Sequence, residues 1–181
     1  MRIIAGTAKG RRLHSPDWPG LRPTSDRLRG TLFDILGARV YGAAVLDGCA
    51  GTGAVGIEAL SRGAVHVDFV ERDARAVALI RRNVDHCQVS DRCTIHQGDL
   101  PEALRRDTAP YDLILLDPPY GASDIDAILS AAAPRLAADG LVVLERARRA
   151  NIGPVSVLES LRQVRAGDSV LEFFGPMAES V

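Results

Sequence analysis

From residue 43 onward the chain alternates short apolar runs with segments of helical period. AAVLD (43–47) reads as a buried strand and is followed by the glycine-rich turn GCAGTG; a helix is expected from about 54 to 62, with Gly63 closing it. VHVDFVE (65–71) gives a second strand. Asp73 is placed to cap a helix whose Val77, Ile80 and Val84 share one face. CTIHQGD (93–99) is a third strand, with a short helix opening at Pro101. LILL (113–116) is apolar without alternation, as in parallel strands covered on both faces. A helix over about 124–137, Gly140 and the strand LVVLE (141–145) complete the rhythm. Strand and helix in alternation predict an α/β fold with a mostly parallel, doubly wound sheet.

The ends break this pattern. RIIAG and RRLHS flank TAKG as a small hairpin, and a proline-rich link follows. Thr24 or Ser25 can then cap a helix with Leu28, Leu32, Ile35 and Leu36 along one stripe. Near the C-terminus VSVLESLRQV reads as a helix and SVLEFFG as a strand able to close the sheet edge in antiparallel fashion. The expected organisation is a basic arm over 1–23 and a main domain over 24–181.

At 181 residues, 46% hydrophobic and 25% charged, the chain suits one globular domain. No apolar run approaches the roughly 18 residues needed to span a bilayer. The opening MRIIAGTAKGRR lacks a signal-peptide core, so a cytoplasmic location is expected. The net charge of −1 hides an asymmetry: residues 1–30 hold seven basic side chains against two acidic ones. A basic arm on an acidic body points to a polyanionic partner, although clustered charge is often only a solvated face. Cys49, Cys87 and Cys93 form no CxxC, and His86, Cys87, Cys93 and His96 do not match tetrahedral spacing, so neither a disulfide framework nor a metal site is expected.

Chemistry gathers at the strand ends. Asp47, Glu71, Asp99 and Asp117 each fall where one of the first four strands stops, and ligands of open parallel sheets bind beyond those carboxyl ends. Any one of these acids can be a helix cap; four at equivalent positions call for a cationic or polyhydroxylated ligand. GTGAVG matches GxGxxG, with Glu71 lying 20 residues past Gly51, which on paper is a dinucleotide fingerprint. The acids oppose a pyrophosphate, however. S-adenosylmethionine suits them better: its sulfonium and amino group are cationic, Glu71 fits a ribose diol, and Asp99 can accept from the adenine amino group. Glycines 48, 51 and 53 let backbone approach the methionine portion.

LILL runs directly into Asp117, Pro118, Pro119 and Tyr120. An exocyclic nucleobase amine is a poor nucleophile because its lone pair is delocalised. Two acceptors aimed at its hydrogens, the Asp117 carboxylate and the Pro118 carbonyl, would favour a pyramidal nitrogen and offset developing charge. Consecutive prolines fix that carbonyl beforehand. Tyr120 offers a stacking face worth roughly 1–3 kcal/mol to an extruded base.

VLDGCAGTGAVGIEALSRGA with LILLDPPYG resembles class I S-adenosylmethionine-dependent amino-methyltransferases that carry an Asp/Asn-Pro-Pro-aromatic motif. RIIAGTAKGRRL with GLRPTSDRLRGTLFDIL is similar to the N-terminal signature of the RsmD family, which methylates a guanine N2 amino group in 16S ribosomal RNA. The resemblance covers roughly residues 1–145. It implies a seven-stranded sheet with a reversed last hairpin, and cofactor contacts from Asp47, Gly48, Gly51, Gly53, Glu71, Arg72, Asp99 and Leu100. It implies catalytic positioning by Asp117, Pro118, Pro119 and Tyr120, without a metal or a covalent intermediate. Ribosomal RNA phosphates would be held by Arg2, Lys9, Arg11, Arg12, Arg22, Arg27 and Arg29, joined by Arg146, Arg148 and Arg149. The expected partner is 16S rRNA in the 30S subunit or an assembly intermediate, with the protein acting as a monomer. Gly30 departs from the family pattern, which has a glutamate there, and within a helix it costs up to about 1 kcal/mol relative to alanine. Alternatives are adenine-N6 or protein glutamine-amide methylation. More distant ones are an NAD-dependent oxidoreductase, resting on GxGxxG alone, and a non-catalytic RNA-binding module.

Overall fold

The computed structural model describes residues 1–19, 21, 24–106, 109–118, 125–150, 152–153 and 155–177. Helix α1 (Asp26–Leu36) precedes strand β1 (Ala44–Gly48), and then come α2 (Ala54–Ser61), β2 (His66–Glu71), α3 (Ala74–Cys87), β3 (Cys93–Gln97), α4 (Leu100–Arg106), β4 (Tyr111–Leu116), α5 (Ile125–Ala132), β5 (Leu136–Ala147), β6 (Leu158–Ala166) and β7 (Ser169–Pro176). The seven strands lie in the order β3-β2-β1-β4-β5-β7-β6. The first five are parallel, while β7 runs antiparallel between β5 and β6. This is the expected doubly wound sheet with its reversed final hairpin. Among the described residues no helix is long and apolar enough to cross a membrane.

Each face of the sheet carries its own core. One gathers α1, α2 and α3 with Phe33, Ile57, Leu60, Phe69 and Ile80; the other gathers α4 and α5 with Leu104, Ile114, Leu129 and Phe174. Every residue of α2 is buried, as a short helix enclosed on all sides must be. Gly56 permits that closeness: a Cβ there would stand 2.3 Å from the Phe69 ring. Ser25 caps α1 by accepting from the Leu28 N–H, and Asp73 caps α3 by accepting from the Arg75 N–H.

Two expectations are corrected. The segment read as a C-terminal helix is strand β6. The segment's Val155, Leu158, Leu161 and Val164 recur with a helix-like spacing, but pairing with β7 from Leu158 to Ala166 decides its conformation. The helix expected over 124–137 ends as α5 at Ala132, and β5 begins at Leu136, earlier than LVVLE indicated.

The N-terminal hairpin is fastened to the domain rather than extended from it. Ile3, Ala8 and Leu13 are buried in the core beside α2. The Glu58 carboxylate accepts from the Ile4 and Ala5 N–H groups at 2.8 and 3.0 Å. Ser61 donates from its hydroxyl to the Ala5 carbonyl and accepts from the Ala8 N–H. Gly6, at φ +80°, lies against the Ser61 carbonyl.

Candidate active site

The parallel strands bring four acids to one end of the sheet. Leu116 registers with Gly48 of β1 and with Leu144 of β5, so the residues that follow on each strand share one edge. There the Asp117 N–H donates to the Gly48 carbonyl at 3.3 Å. Beyond this edge opens a cleft of about 1180 Å³, somewhat larger than the roughly 300–1,000 Å³ of small-molecule sites.

Its walls contain Gly51, Glu71, Arg72, Asp99, Leu100, Asp117 and Pro118 of the expected set. Glu71 is locked in place: one oxygen accepts from the Gly51 N–H at 2.9 Å and the other from the Asp73 N–H at 2.9 Å. A carboxylate has about four acceptor positions, so further capacity remains toward the cleft. Asp99 and Arg72 are exposed at the rim. Trp18, beneath the Arg75 guanidinium at 5.2 Å, also faces the cleft.

Asp47, Gly48 and Gly53 do not line it. Asp47 is buried and accepts from the Gly56 N–H at 2.8 Å, which ties the end of β1 to the start of α2. Burial pushes its carboxyl up to about 8, and the nearby Asp117 and Glu71 charges add to the rise. Gly48 sits beneath Leu100 and Leu116, where a Cβ would meet their methyl groups at 2.8–2.9 Å. Gly53 adopts φ +75° at the N-cap of α2. These residues shape the floor from below.

Asp117 is the best-supported acid of the site. Thr24 donates to its Oδ2 at 2.7 Å. Burial raises its carboxyl above the ordinary range, while hydrogen bonds from Thr24 and with Glu145 pull it back. The adjacent Cys49, at φ 61°, has its thiol pushed up to about 12 by burial and by the surrounding acids. It is therefore no thiolate nucleophile at neutral pH. Pro119, Tyr120 and Arg22, expected to contribute, lie outside the described residues.

The expected RNA-binding set divides. Arg2, Lys9, Arg12, Arg27, Arg148 and Arg149 are exposed. Arg29 is a correction: it is fully buried, donating to the Arg2 and Thr24 carbonyls and pairing with Asp26. Arg146 is likewise turned inward, bonded to Glu172 at 2.9 Å and to the Ala150 carbonyl. Arg11 is engaged with the His86 carbonyl and with Gln88. In each case a neighbouring acceptor captures the guanidinium before a phosphate can.

Sequence reasoning missed Thr24 as a partner of Asp117 and missed Glu145 entirely. The strand-end pattern that flagged the other acids extends to Glu145, which sits within β5 just past Leu144, the Leu116 partner.

A seven-stranded sheet with an acid-lined cleft at its carboxyl edge defines the methyltransferase class of α/β folds. The family described as Conserved hypothetical protein 95 matches residues 1–175. YlbH of Bacillus subtilis, a protein named among the rRNA methyltransferases, is 34% identical over 158 residues, covering 84% of this chain and 85% of its own. Ribosomal RNA small subunit methyltransferase D of Escherichia coli is 37% identical over 120 residues, 66% of this chain and 60% of that one. The structure of yhhF from Escherichia coli, named as a methyltransferase, superposes with a TM-score of 0.87 at 28% identity, covering 99% of both chains. The chain belongs to the RsmD family.

Proposed function

We propose that the protein moves a methyl group from S-adenosylmethionine to the exocyclic N2 amino group of one guanine in 16S rRNA. The observation that carries this reading is Asp117: a half-buried acid held by Thr24, followed by Pro118, opening on a cleft rimmed with further carboxylates. Membership of a family whose relatives are named rRNA methyltransferases supports the reaction class.

The donor set fits the cofactor. Glu71 is fixed with acceptor capacity to spare, Asp99 stands at the rim, and the Gly51 turn leaves backbone rather than side chain at the cleft wall. Negative groups around a cationic ligand are favourable where a pyrophosphate would be repelled. When bound, the cofactor supplies an electrophilic methyl group on a sulfonium. Asp117 would accept an N–H of the incoming amine, keep its lone pair directed into the cleft, and take the proton that the amine loses on methylation. The Pro118 carbonyl is the natural second acceptor. The neutral Cys49 thiol leaves direct transfer, with no enzyme-bound intermediate, as the simplest route.

The substrate would be 16S rRNA in the 30S subunit or an assembly intermediate, met in the cytoplasm by a monomeric, metal-independent enzyme. The test is transfer of labelled methyl from S-adenosylmethionine to undermethylated 30S subunits, with nucleoside analysis. N2-methylguanosine at one position is expected. N6-methyladenosine would overturn the substrate, and transfer to protein alone would overturn both substrate and RNA recognition. Asp117→Ala should lower the rate by about 10²–10³-fold, as loss of an electrostatic partner of the reacting group does, while cofactor affinity stays within a few-fold. Equal loss of both would remove Asp117 from the chemical step.

A further inference from the structure

Glu145 lines the same cleft as Asp117, with Ser169 beside it, and none of the cofactor contacts described above uses it. It is 8% exposed, held on β5 next to the end of β4, and accepts from the Ser169 hydroxyl at 3.0 Å. It is also in hydrogen-bond contact with Asp117. Asp47, Asp117, Glu145 and Thr24 enclose one narrow cavity of about 20 Å³, whose remaining walls are leucine and valine.

Two carboxyl groups in hydrogen-bond contact within an apolar wall are not both ionised, because like charges at that separation repel strongly in a low dielectric. A hydrogen bond between them also requires one proton, since two carboxylates offer only acceptors. The surroundings indicate where that proton sits. Each acid accepts from a hydroxyl, Asp117 from Thr24 at 2.7 Å and Glu145 from Ser169 at 3.0 Å, so burial makes the difference: Asp117 is half-buried while Glu145 is 8% exposed, and the more deeply buried acid is the one that stays neutral. From other elements, Asp47 of β1 shares the cavity with the pair and is coupled to the Asp117 charge, while the neighbouring Cys49 thiol stays neutral.

We propose that Glu145 is a positioning residue for methyl transfer: as a neutral acid it donates to Asp117 and holds Asp117 as the carboxylate that receives the substrate's proton. Only the last clause rests on the methyltransferase reading. In the transfer, the amine nitrogen's lone pair forms the new N–C bond and the C–S pair stays with sulfur. The N–H bond breaks with its electrons left on nitrogen, and the proton passes to Asp117. The pair then carries two protons and returns to one by losing a proton to solvent. Without the Glu145 donor, the Thr24 hydrogen bond alone would oppose the effect of burial on Asp117, and its carboxyl would rise further, withdrawing the acceptor from the amine as pH falls.

The deciding experiment follows the Asp117 carboxyl by carbon-13 NMR across pH, in the protein without substrate, in wild type, Glu145→Gln and Glu145→Leu. The glutamine amide still donates, so the Asp117 midpoint should stay within about half a unit of wild type. In Glu145→Leu it should rise by about one unit or more, as removal of a donor from a buried carboxylate does. The acidic limb of the kcat/KM profile should move with it, with activity near pH 6 falling about tenfold and cofactor affinity unchanged. An Asp117 midpoint that is unmoved in both variants, or moved equally in both, makes Glu145 a packing residue and overturns the proposal. Should Glu145→Leu fail to fold, Glu145→Gln decides alone: wild type is expected to titrate as a coupled two-step pair and the variant in one step. Two identical profiles would overturn it. Because the titration needs no substrate, an enzyme acting on a different acceptor would leave this test intact.

Discussion

The Thr24 hydroxyl donates to Asp117 Oδ2 at 2.7 Å, joining the loop before α1 to the end of β4. The Thr24 carbonyl in turn receives the buried Arg29 guanidinium at 3.3 Å, and Arg29 also grips the Arg2 carbonyl. One chain of contacts thus runs from the basic hairpin to the acid proposed to meet the substrate amine. A hydrogen bond to a charged group is worth about 1.5–3 kcal/mol. Thr24→Val, nearly the same shape, should therefore lower kcat by about tenfold or more with the cofactor Kd unchanged. Asp117 must be ionised to accept a proton, and loss of a donor raises its carboxyl further. The deficit should accordingly be larger near pH 6 than near pH 8, and Thr24→Ser should restore it. Steady-state rates at both pH values, with calorimetric cofactor binding, check this; a deficit independent of pH would detach Thr24 from the titration of Asp117.

Gly6 is the point where the hairpin cannot tolerate a side chain. A Cβ there would stand 1.8 Å from the Ser61 carbonyl oxygen, at a φ of +80° that side chains avoid. Gly6→Ala must displace the hairpin from α2, releasing the Glu58 and Ser61 contacts with it. The expected loss is about 2–4 kcal/mol, the range of severe steric and hydrogen-bond lesions. Urea unfolding measures it, and a loss under about 0.5 kcal/mol would show that the hairpin contributes little to the fold.

Why some of this was legible from sequence, and some not, follows from how local each signal is. LILL is apolar at every position because both faces of β4 are covered, and Gly56 follows from a helix pressed on Phe69. Those constraints act within a few residues. Strand β6 failed because it is an edge strand: apart from Leu158 its side chains are exposed or half-buried, so no alternation is imposed on it, and pairing with β7 sets its conformation. The tethers of Glu58 to Ile4 and Ala5 span more than 50 residues of chain, and Thr24 reaches Asp117 across 93. No periodicity encodes such contacts. Arg29 looked like a phosphate ligand for the same reason, since charge is visible in a sequence and burial is not.

The exposed cations give a sharper RNA prediction than net charge did. Lys9 and Arg12 are both exposed on the hairpin, whereas Arg11 is committed to α3 and Arg29 to the interior. Each phosphate contact contributes about 0.7–0.9 to the slope of log K against log salt. The double variant Lys9→Glu, Arg12→Glu should weaken binding to rRNA and flatten that slope by roughly 1.5, with the cofactor Kd unchanged. Binding titrations over a range of salt concentrations test this, and an unaltered slope would remove the hairpin from the RNA interface.

Asp47 links the site to stability. Burial lifts its carboxyl from 3.8 to about 8, with Asp117 and Glu71 contributing. The folded protein therefore holds a proton that the unfolded chain releases between roughly pH 4 and 8, and stability falls as pH rises through that window. An asparagine in place of the acid would keep an oxygen for the Gly56 N–H but could not ionise. Asp47→Asn should thus be close to wild type near pH 4 and progressively more stable than wild type toward pH 8. A gain of 1 kcal/mol corresponds to about 2–4 °C in Tm for a domain of this size. Asp117, also raised by burial, leaves a residual slope of the same sign in both proteins, so the difference between them isolates Asp47. Denaturant unfolding at several pH values measures it. A difference that stays constant from pH 4 to 8 would mean that Asp47 does not titrate there, and that its role is confined to anchoring α2.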